Sequence, residues 1–300
     1  MLELIRKTIA DIPTREGRVH RAREFLQLLV LKILYDKGYY KHIAFVGGTA
    51  LRVLYDLKRF SEDLDFSVIR KEGYDFKHLL KGVVYQLVKS GFSLDVKEQE
   101  QKTAQSAMLK FKDILFELGL SKMKDEKLSI RLEIDSTPPR GWHTEISLVN
   151  KDFIFTVTHF DLPSLYATKL HACFFRKYVK GRDFYDLVWY IEKKILPNFP
   201  LLNNAIRQTE KEHLSVNEEN FNAFLVEKLS EIDFVKIRRD VERFLLDKNE
   251  LNLLNKSLII NLLNKRLLVI GKWLLVIRCA SHILETCPWR IRMERFPLQF

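Results

Sequence analysis

Two short groups of residues in the first quarter of the chain could together do chemistry on a phosphate. Thirteen residues separate the first group, Gly47-Gly48-Thr49, from the second, Asp63-Leu64-Asp65. Two glycines let the backbone turn sharply and approach a phosphate closely. The hydroxyl of Thr49 is expected to cap the helix that follows, and a helix N-terminus favours an anion. The first group therefore predicts a turn that binds the terminal phosphates of a nucleotide.

Asp63 and Asp65 lie two positions apart, so on a β-strand both carboxylates project from one face. Burying two like charges side by side is costly without a counter-charge. Mg²⁺ supplies such a charge, because it binds one or two carboxylates together with substrate phosphates and water; Mn²⁺ is the alternative ion. The pair therefore predicts a metal site suited to nucleotidyl transfer.

These two groups need particular elements to position them. The apolar run His42–Val46 indicates a short buried strand ahead of the glycines, and Ala50–Leu57 has the apolar spacing of a helix. The aspartates then begin a second strand, Leu64–Ile69. Strand, glycine turn, helix and strand in this order place the turn and the carboxylates close together.

A third carboxylate is expected, because two-metal transfer usually needs one to share the second ion. The strand-like segment 129–135 offers Glu133 and Asp135, which share a face with Arg131. Glu133 is preferred, since Asp135 lies beside Ser136 and could instead serve the turn. The alternative is that both carboxylates simply face solvent.

These residues resemble the abortive-infection toxin nucleotidyltransferases, the AbiEii/AbiGii family of the polymerase-β-like superfamily. The resemblance extends over residues 20–245 and is strongest in two blocks. The matching residues are Gly47, Gly48, Thr49, Ala50, Leu51, Arg59, Ser61, Glu62, Asp63, Leu64, Asp65 and Phe66, and then Lys169, Arg176, Arg182, Asp183, Tyr185, Asp186 and Leu187. The resemblance implies a toxin restrained by a cognate antitoxin. It also makes a nucleoside triphosphate (NTP) the donor and RNA, such as the tRNA 3′ end, the expected acceptor.

The second block adds charged residues to the expected site. Lys169 and Arg176 lie seven residues apart and share a helix face, and both side chains suit phosphate oxygens. By resemblance, Lys169 binds the triphosphate; a solvated helix face is the alternative. Arg59, just ahead of the metal aspartates, could also reach a phosphate.

Asp183 and Asp186 allow two interpretations. Both suit the start of a helix, as an N-cap and as a partner of the helix dipole. By resemblance, one of them lies across from the metal site and orients the acceptor hydroxyl or the base of the nucleotide. Asp183 is the first choice for that role.

Composition is compatible with such an enzyme. The net charge of +11 favours a polyanionic partner, with RNA as the first candidate. The odd number of cysteines, without a Cys-x-x-Cys pair, argues against a disulfide framework or a zinc ribbon and for a reducing cytoplasm. No signal peptide is evident, and charges interrupt the apolar stretch Leu258–Ile277, which is therefore interpreted as a helix outside the membrane. The cysteines are Cys173, Cys279 and Cys287.

The expected architecture is α+β, with a mixed nucleotidyltransferase-type sheet, flanking helices and a helical C-terminal domain. A helix is expected over Phe76–Lys89, and strands are expected over Ser93–Glu98, Ala107–Phe116, Leu128–Asp135 and Phe153–Thr158. Strand signals stop near 158–163, so we expect a catalytic domain at 1–160 and a helical domain at 161–255. Residues 256–300 are expected to be a basic C-terminal helix or tail. Two further functions stay open: nucleotidylation of a small molecule or a protein, and a non-catalytic module that binds RNA or a partner.

Overall fold

A seven-stranded mixed sheet positions the residues singled out above. The computed structural model describes residues 1–100, 103–210 and 214–263. In the sheet the strand order is β3-β4-β5-β2-β1-β7-β6; β2 lies parallel to β5 and β1 parallel to β7, and the other neighbours are antiparallel. The strands are β1 (Ile43–Val46), β2 (Asp63–Val68), β3 (Leu94–Glu100), β4 (Ala104–Phe111), β5 (Leu128–Asp135), β6 (Thr144–Asn150) and β7 (Ile154–Phe160).

Helices surround this sheet and follow it in the chain. The strands end at Phe160, and the segments after it are helical. The helices are α1 (Leu2–Ile9), α2 (Arg15–Asp36), α3 (Gly47–Tyr55), α4 (Phe76–Lys89), α5 (Ile114–Glu117), α6 (Leu162–Phe174), α7 (Gly181–Glu192), α8 (Phe199–Thr209), α9 (Phe221–Ser230) and α10 (Phe234–Val241). This arrangement confirms the expected mixed α+β class.

The two faces of the sheet differ in chemistry because side chains alternate along each strand. In β5, Leu128, Ile130, Leu132 and Ile134 are almost fully buried, and helix α2 contacts this strand. Burying each such side chain stabilises the fold by about 1.5–3 kcal/mol. The residues between them are polar and turn to the other face, so burial of the apolar set determines where the carboxylates point.

Several predicted elements coincide with the structure and others end elsewhere. Helix α4 and strand β5 have the predicted bounds, and Asp161 caps α6 by accepting a hydrogen bond from the amide of Ser164. The strand expected over Ala107–Phe116 ends at Phe111. Asp113 adopts φ +58°, a left-handed conformation that interrupts the strand, and the short helix α5 follows.

Strand β6 and helices α1 and α8 were not foreseen. Strand β6 lies at the edge of the sheet; its alternating apolar residues Ile146 and Leu148 are exposed, and Val149 is its one buried residue. The core is one continuous cluster of buried residues from Ile5 to Leu263, shared by strands and helices. The boundaries 1–160 and 161–255 stay a prediction, and most of 256–300, including most of Leu258–Ile277, lies outside the described residues.

Candidate active site

The Gly47-Gly48 turn joins β1 directly to α3 and brings two functional side chains against the backbone. Gly47 has φ +79°, a conformation that favours glycine. A β-carbon at Gly47 would overlap the carboxylate of Asp65, and one at Gly48 would overlap the guanidinium of Arg59. The two glycines therefore make room for a carboxylate on one side and a guanidinium on the other, at the rim of one cavity.

Thr49 has a different role from the one expected. The N-terminal cap position of α3 is Val46, without a side-chain cap, and Thr49 lies inside the helix, 1% exposed. Its hydroxyl donates a hydrogen bond to the carbonyl oxygen of Asp63. The capping prediction is therefore wrong, because the helix begins two residues earlier. Thr49 instead ties α3 to the start of β2, which carries Asp63 and Asp65.

The carboxylates form one wall of a cavity of about 400 Å³. The parallel pairing of β2 with β5 sets Asp65 opposite Glu133 and Asp63 opposite Arg131. Asp135 lies opposite Ser67 and accepts a hydrogen bond of 2.9 Å from the amide of Thr137, the turn role considered for it. All four carboxylates line the cavity: Asp63, Asp65, Glu133 and Asp135.

Asp65 is the carboxylate of this wall whose pKa departs most from its ordinary value. Burial, followed by the nearby carboxylates of Asp63 and Glu133, raises the pKa of Asp65 to about 7. The neighbouring cations are directed elsewhere: Arg131 pairs with Glu133 at 2.5 Å, and Arg182 lies 3.6 Å from Asp63. A buried carboxylate with a raised pKa is the environment that a bound cation would relieve.

Helices α6 and α7 supply the opposite wall, whose charges pair with one another. The guanidinium of Arg59 donates two hydrogen bonds of 2.6 Å to Asp186. The ammonium of Lys169 lies 2.7 Å from Asp183 and 2.8 Å from Asp186. Arg176 approaches the second oxygen of Asp183 at 3.3 Å. Sequence reasoning placed these five residues at the site, and the structure brings them together as one ion-paired network.

The network is buried, and its pKa shifts follow from the pairing. Burial alone would lower the pKa of Lys169, but the carboxylates of Asp183 and Asp186 outweigh it, and the pKa lies above its usual range. For Asp183, burial alone would raise the pKa, and the cations of Lys169 and Arg176 lower it instead. Lys169 and Asp183 are therefore held in their charged forms by mutual contact.

The side chain of Asp186 does not reach the cavity. It is fully buried beneath Arg59 and Lys169 and is absent from the residues that line the cavity. The expected contact with a nucleotide is not available to its side chain in this arrangement. Asp183 and Lys169 do line the cavity, although ion pairs already engage both carboxylate oxygens of Asp183.

Three further cations line the cavity between the two walls. Sequence reasoning gave no role to Lys180, and it named Arg131 and Arg182 only as neighbours of other candidates. The side chain of Arg182 lies over the ring of Phe244, with 4.6 Å from its guanidinium carbon to the ring centroid. The run Lys180-Gly181-Arg182 at the start of α7 was the signal that could have indicated a phosphate-facing edge.

A family model matches most of this chain. The family described as the nucleotidyl transferase AbiEii toxin of a type IV toxin–antitoxin system matches residues 29–256, about three quarters of the chain. The chain belongs to this family. No curated protein gives a significant match to the sequence.

Two solved structures from Helicobacter pylori resemble this AbiEii-family chain. JHP933 is 22% identical, with a TM-score of 0.48, over 85% of this chain and 97% of that one. A protein described as a candidate nucleotidyltransferase is 23% identical, with a TM-score of 0.46, over 81% of this chain and 95% of that one.

The carboxylate wall of this AbiEii-family chain fits a divalent cation that is completed by substrate. In the described part of the chain, no three His, Cys, Asp or Glu side chains converge into a ready-made metal site. Mg²⁺ does not need such a cage, since it is usually bound by one or two carboxylates together with phosphates and water. The oxygen ligands of Asp63, Asp65 and Glu133, with the raised pKa of Asp65, suit that mode.

The sequence predicts no membrane-spanning segment in this chain. None of the helices within the three described ranges is both long and apolar enough to span a bilayer.

Proposed function

We propose that this chain is an Mg²⁺-dependent nucleotidyltransferase that transfers a nucleoside monophosphate from an NTP to RNA, with the tRNA 3′ end as the leading acceptor. Membership of the AbiEii toxin family supports the transferase class and a toxin role. The observation that carries the proposal is the pairing of Asp65 with Glu133 beside Asp63, on a cavity whose opposite wall is basic. The partner that restrains it would be the cognate antitoxin.

In this mechanism the two walls of the cavity have different roles. The cations at the helical side, Arg176, Lys180 and Arg182, bind the triphosphate and keep it against the carboxylate wall. Bound Mg²⁺ supplies charge stabilisation at the attacking and leaving oxygens. The acceptor hydroxyl then attacks the α-phosphorus in line, the new phosphodiester bond forms, and pyrophosphate leaves towards the cations.

The buried network positions this basic wall. Lys169 and Asp183 line the cavity, and Asp183 holds both Lys169 and Arg176 through its two oxygens. We assign to Asp183 the orientation of these cations, and to Asp186 the support of Arg59 and Lys169 from below. This assignment differs from a direct contact of either aspartate with the acceptor, because their oxygens are already engaged.

The test is incorporation of label from each of the four NTPs, labelled at the α-phosphorus, into total cellular RNA with Mg²⁺. We expect label on RNA with the wild type and none with Asp63→Ala. Asp125→Asn, which removes an exposed carboxylate of a loop away from the cavity, is the matched control and should retain activity.

Other outcomes would change the acceptor or reject the proposed function. Label on protein or on small molecules, with RNA unlabelled, would replace the acceptor while keeping the transferase. Full activity of Asp63→Ala would contradict the metal assignment. Nucleotide binding that ignores Mg²⁺, with no labelled product, would favour the non-catalytic binding module.

A further inference from the structure

The polar face of the sheet continues beyond the catalytic cavity. Strands β5, β4 and β3 extend it away from β2 to the edge of the sheet, and paired residues cross it in rows. Because neighbouring strands pair residue by residue, each row runs from a metal aspartate outward. The two rows are Asp63, Arg131, Met108, Lys97 and Asp65, Glu133, Ser106, Gln99.

A groove of about 250 Å³ lies on this outer part of the face. Arg131 lines both the groove and the catalytic cavity, so the two adjoin at this side chain. We call this surface the outer sheet face; its residues are Lys97, Gln99, Ser106, Met108, Lys110 and Arg131.

The charge of the outer sheet face is opposite to that of the carboxylate wall. Its lining has three cations, Lys97, Lys110 and Arg131, and no carboxylate among these described residues. The nearby carboxylate of β3, Asp95, pairs with Lys112 at 2.7 Å and with Lys127 at 2.8 Å. The surface therefore presents positive charge that leads towards the carboxylates, which is the arrangement a polyanion with one reacting end requires.

We propose that the outer sheet face binds the single-stranded 3′ segment of the RNA acceptor, and this rests on the proposed function. The phosphates lie on Lys97 and Lys110, a base packs on the side chain of Met108, and the terminal hydroxyl passes Arg131 to reach the carboxylates. Single strands are generally bound in a basic groove with aromatic side chains on which bases stack; here the apolar side chain of Met108 takes the aromatic position.

The dimensions agree with a short segment. Three strand spacings of about 4.8 Å separate β2 from β3, or about 14 Å in all. At a rise of about 3.4 Å per stacked nucleotide, this is the length of about four nucleotides. The outer sheet face thus accommodates an unpaired end, and any duplex part of the acceptor lies beyond β3.

The test compares the double variant Lys97→Ala/Lys110→Ala with the control Lys81→Ala/Lys89→Ala. The control removes two exposed lysines of helix α4, which line neither the groove nor the cavity. The measurement is fluorescence anisotropy with a short single-stranded RNA over a range of salt concentrations. For the test variant we expect a Kd about tenfold higher than that of the wild type and a log–log salt dependence shallower by about 1.4, because two phosphate contacts are lost.

Transfer assays separate this inference from the proposed function. With a dinucleotide acceptor, which does not extend to β3, the test variant should match the wild type; with a longer RNA its KM should rise while kcat and the KM for NTP stay unchanged. RNA affinity unchanged in the test variant, or lowered equally in the control, would overturn the inference even if transfer occurs. Selective loss of RNA binding in a protein that transfers nothing would uphold the outer sheet face and reject the proposed function.

Discussion

The two walls of the cavity handle charge in opposite ways. On the sheet side, Asp65 lies beside Asp63 and across from Glu133, and its pKa rises to about 7. On the helical side, Arg59 and Lys169 are paired with Asp186 and Asp183 at hydrogen-bond distance. On the sheet side, Asp63 and Glu133 keep about a third of their side-chain surface exposed and each has an arginine nearby, whereas Asp65 is in no ion pair among the described residues. On the helical side, the four charges are buried and all of them are paired.

Whether a charge has a partner separates supporting residues from functional ones in this site. A buried charge that is paired indicates a structural role, because loss of its partner would leave an uncompensated buried charge and destabilise the fold. A carboxylate with a raised pKa and no cationic partner is typical of functional sites, where such groups cluster. By this criterion the carboxylate wall is the reactive side, and the network of α6 and α7 is its support.

The largest expected effect comes from neutralising Asp65 in the carboxylate wall. Asp65→Asn should reduce transfer by about a thousandfold, since loss of metal binding removes several kcal/mol of transition-state stabilisation. The same variant should be as stable as the wild type or more stable by about 1–3 kcal/mol, because it removes the cost of a buried charge. Urea unfolding without metal, together with the transfer assay, measures both. A less stable Asp65→Asn protein would remove the contrast between the walls.

Neutralising a member of the paired network should have the opposite effect on stability. Asp186→Asn leaves the buried guanidinium of Arg59 without its bidentate partner, and we expect a loss of about 3–5 kcal/mol in the free energy of unfolding. Asp125→Asn, at an exposed loop position, is the control and should change the stability little. A loss of less than about 1 kcal/mol in Asp186→Asn would show that the network is not structural.

Glu133 and Asp135, the two candidates for the third carboxylate ligand, should differ in how much transfer depends on them. Glu133→Gln is expected to lower transfer by about a hundredfold, since Glu133 lies opposite Asp65. Asp135→Asn should lower it less than about threefold, because Asp135 lies opposite Ser67 and accepts the Thr137 amide in the turn. Steady-state kinetics at several Mg²⁺ concentrations decide between them, and equal losses would assign both to the metal.

The smallest expected effects are on the pH dependence of stability, where Asp65 and Asp183 act in opposite directions. The pKa of Asp65 is higher in the folded chain than in the unfolded one, so between about pH 4 and 7 the folded state binds more protons. The contribution of Asp65 to stability is therefore present at low pH and lost as pH rises through about 7. Asp183 has a lowered pKa, so its contribution is present above about pH 4 and is lost as pH falls further.

The measurement is the free energy of unfolding at pH 5 and at pH 8 without metal, for the wild type and Asp65→Asn. The difference between them should grow at pH 8. A difference independent of pH would mean that Asp65 is not the group that titrates near 7. Added Mg²⁺ should remove the gap, since a bound cation competes with the proton.

Much of the site could be predicted because its signals are local. The spacing of Gly47, Gly48, Asp63 and Asp65 depends on neighbouring residues in the chain, and the structure shows the turn and both strands that carry them. The alternation of apolar residues in 128–135 likewise predicted β5 with its observed bounds. Strand β6 was not predicted; it is an edge strand whose apolar residues Ile146 and Leu148 are exposed, so it contributes little to the buried core.

The roles of Thr49, Arg59 and Asp186 could not be deduced in this way. Thr49 suits a cap by type, yet α3 begins two residues earlier and turns its hydroxyl to Asp63. Arg59 and Asp186 are 127 residues apart in sequence and meet only because α7 packs beneath the glycine turn. Their residue types fit a phosphate contact and a buried ion pair equally well, and only their partners distinguish the two.

The α+β class, the glycine turn and the nucleotidyltransferase family depend on short spacings or on matched residues, so the sequence alone was enough to predict them, while the metal role of Asp63 and Asp65 stays a prediction. Only the tertiary structure decided that β2 and β5 lie side by side in parallel, and that Asp65 therefore faces Glu133. Only the tertiary structure could separate the paired charges from the unpaired one. The physical reason is that the energy of a charge depends on its burial and on its neighbours in space, and the order of residues in the chain specifies neither directly.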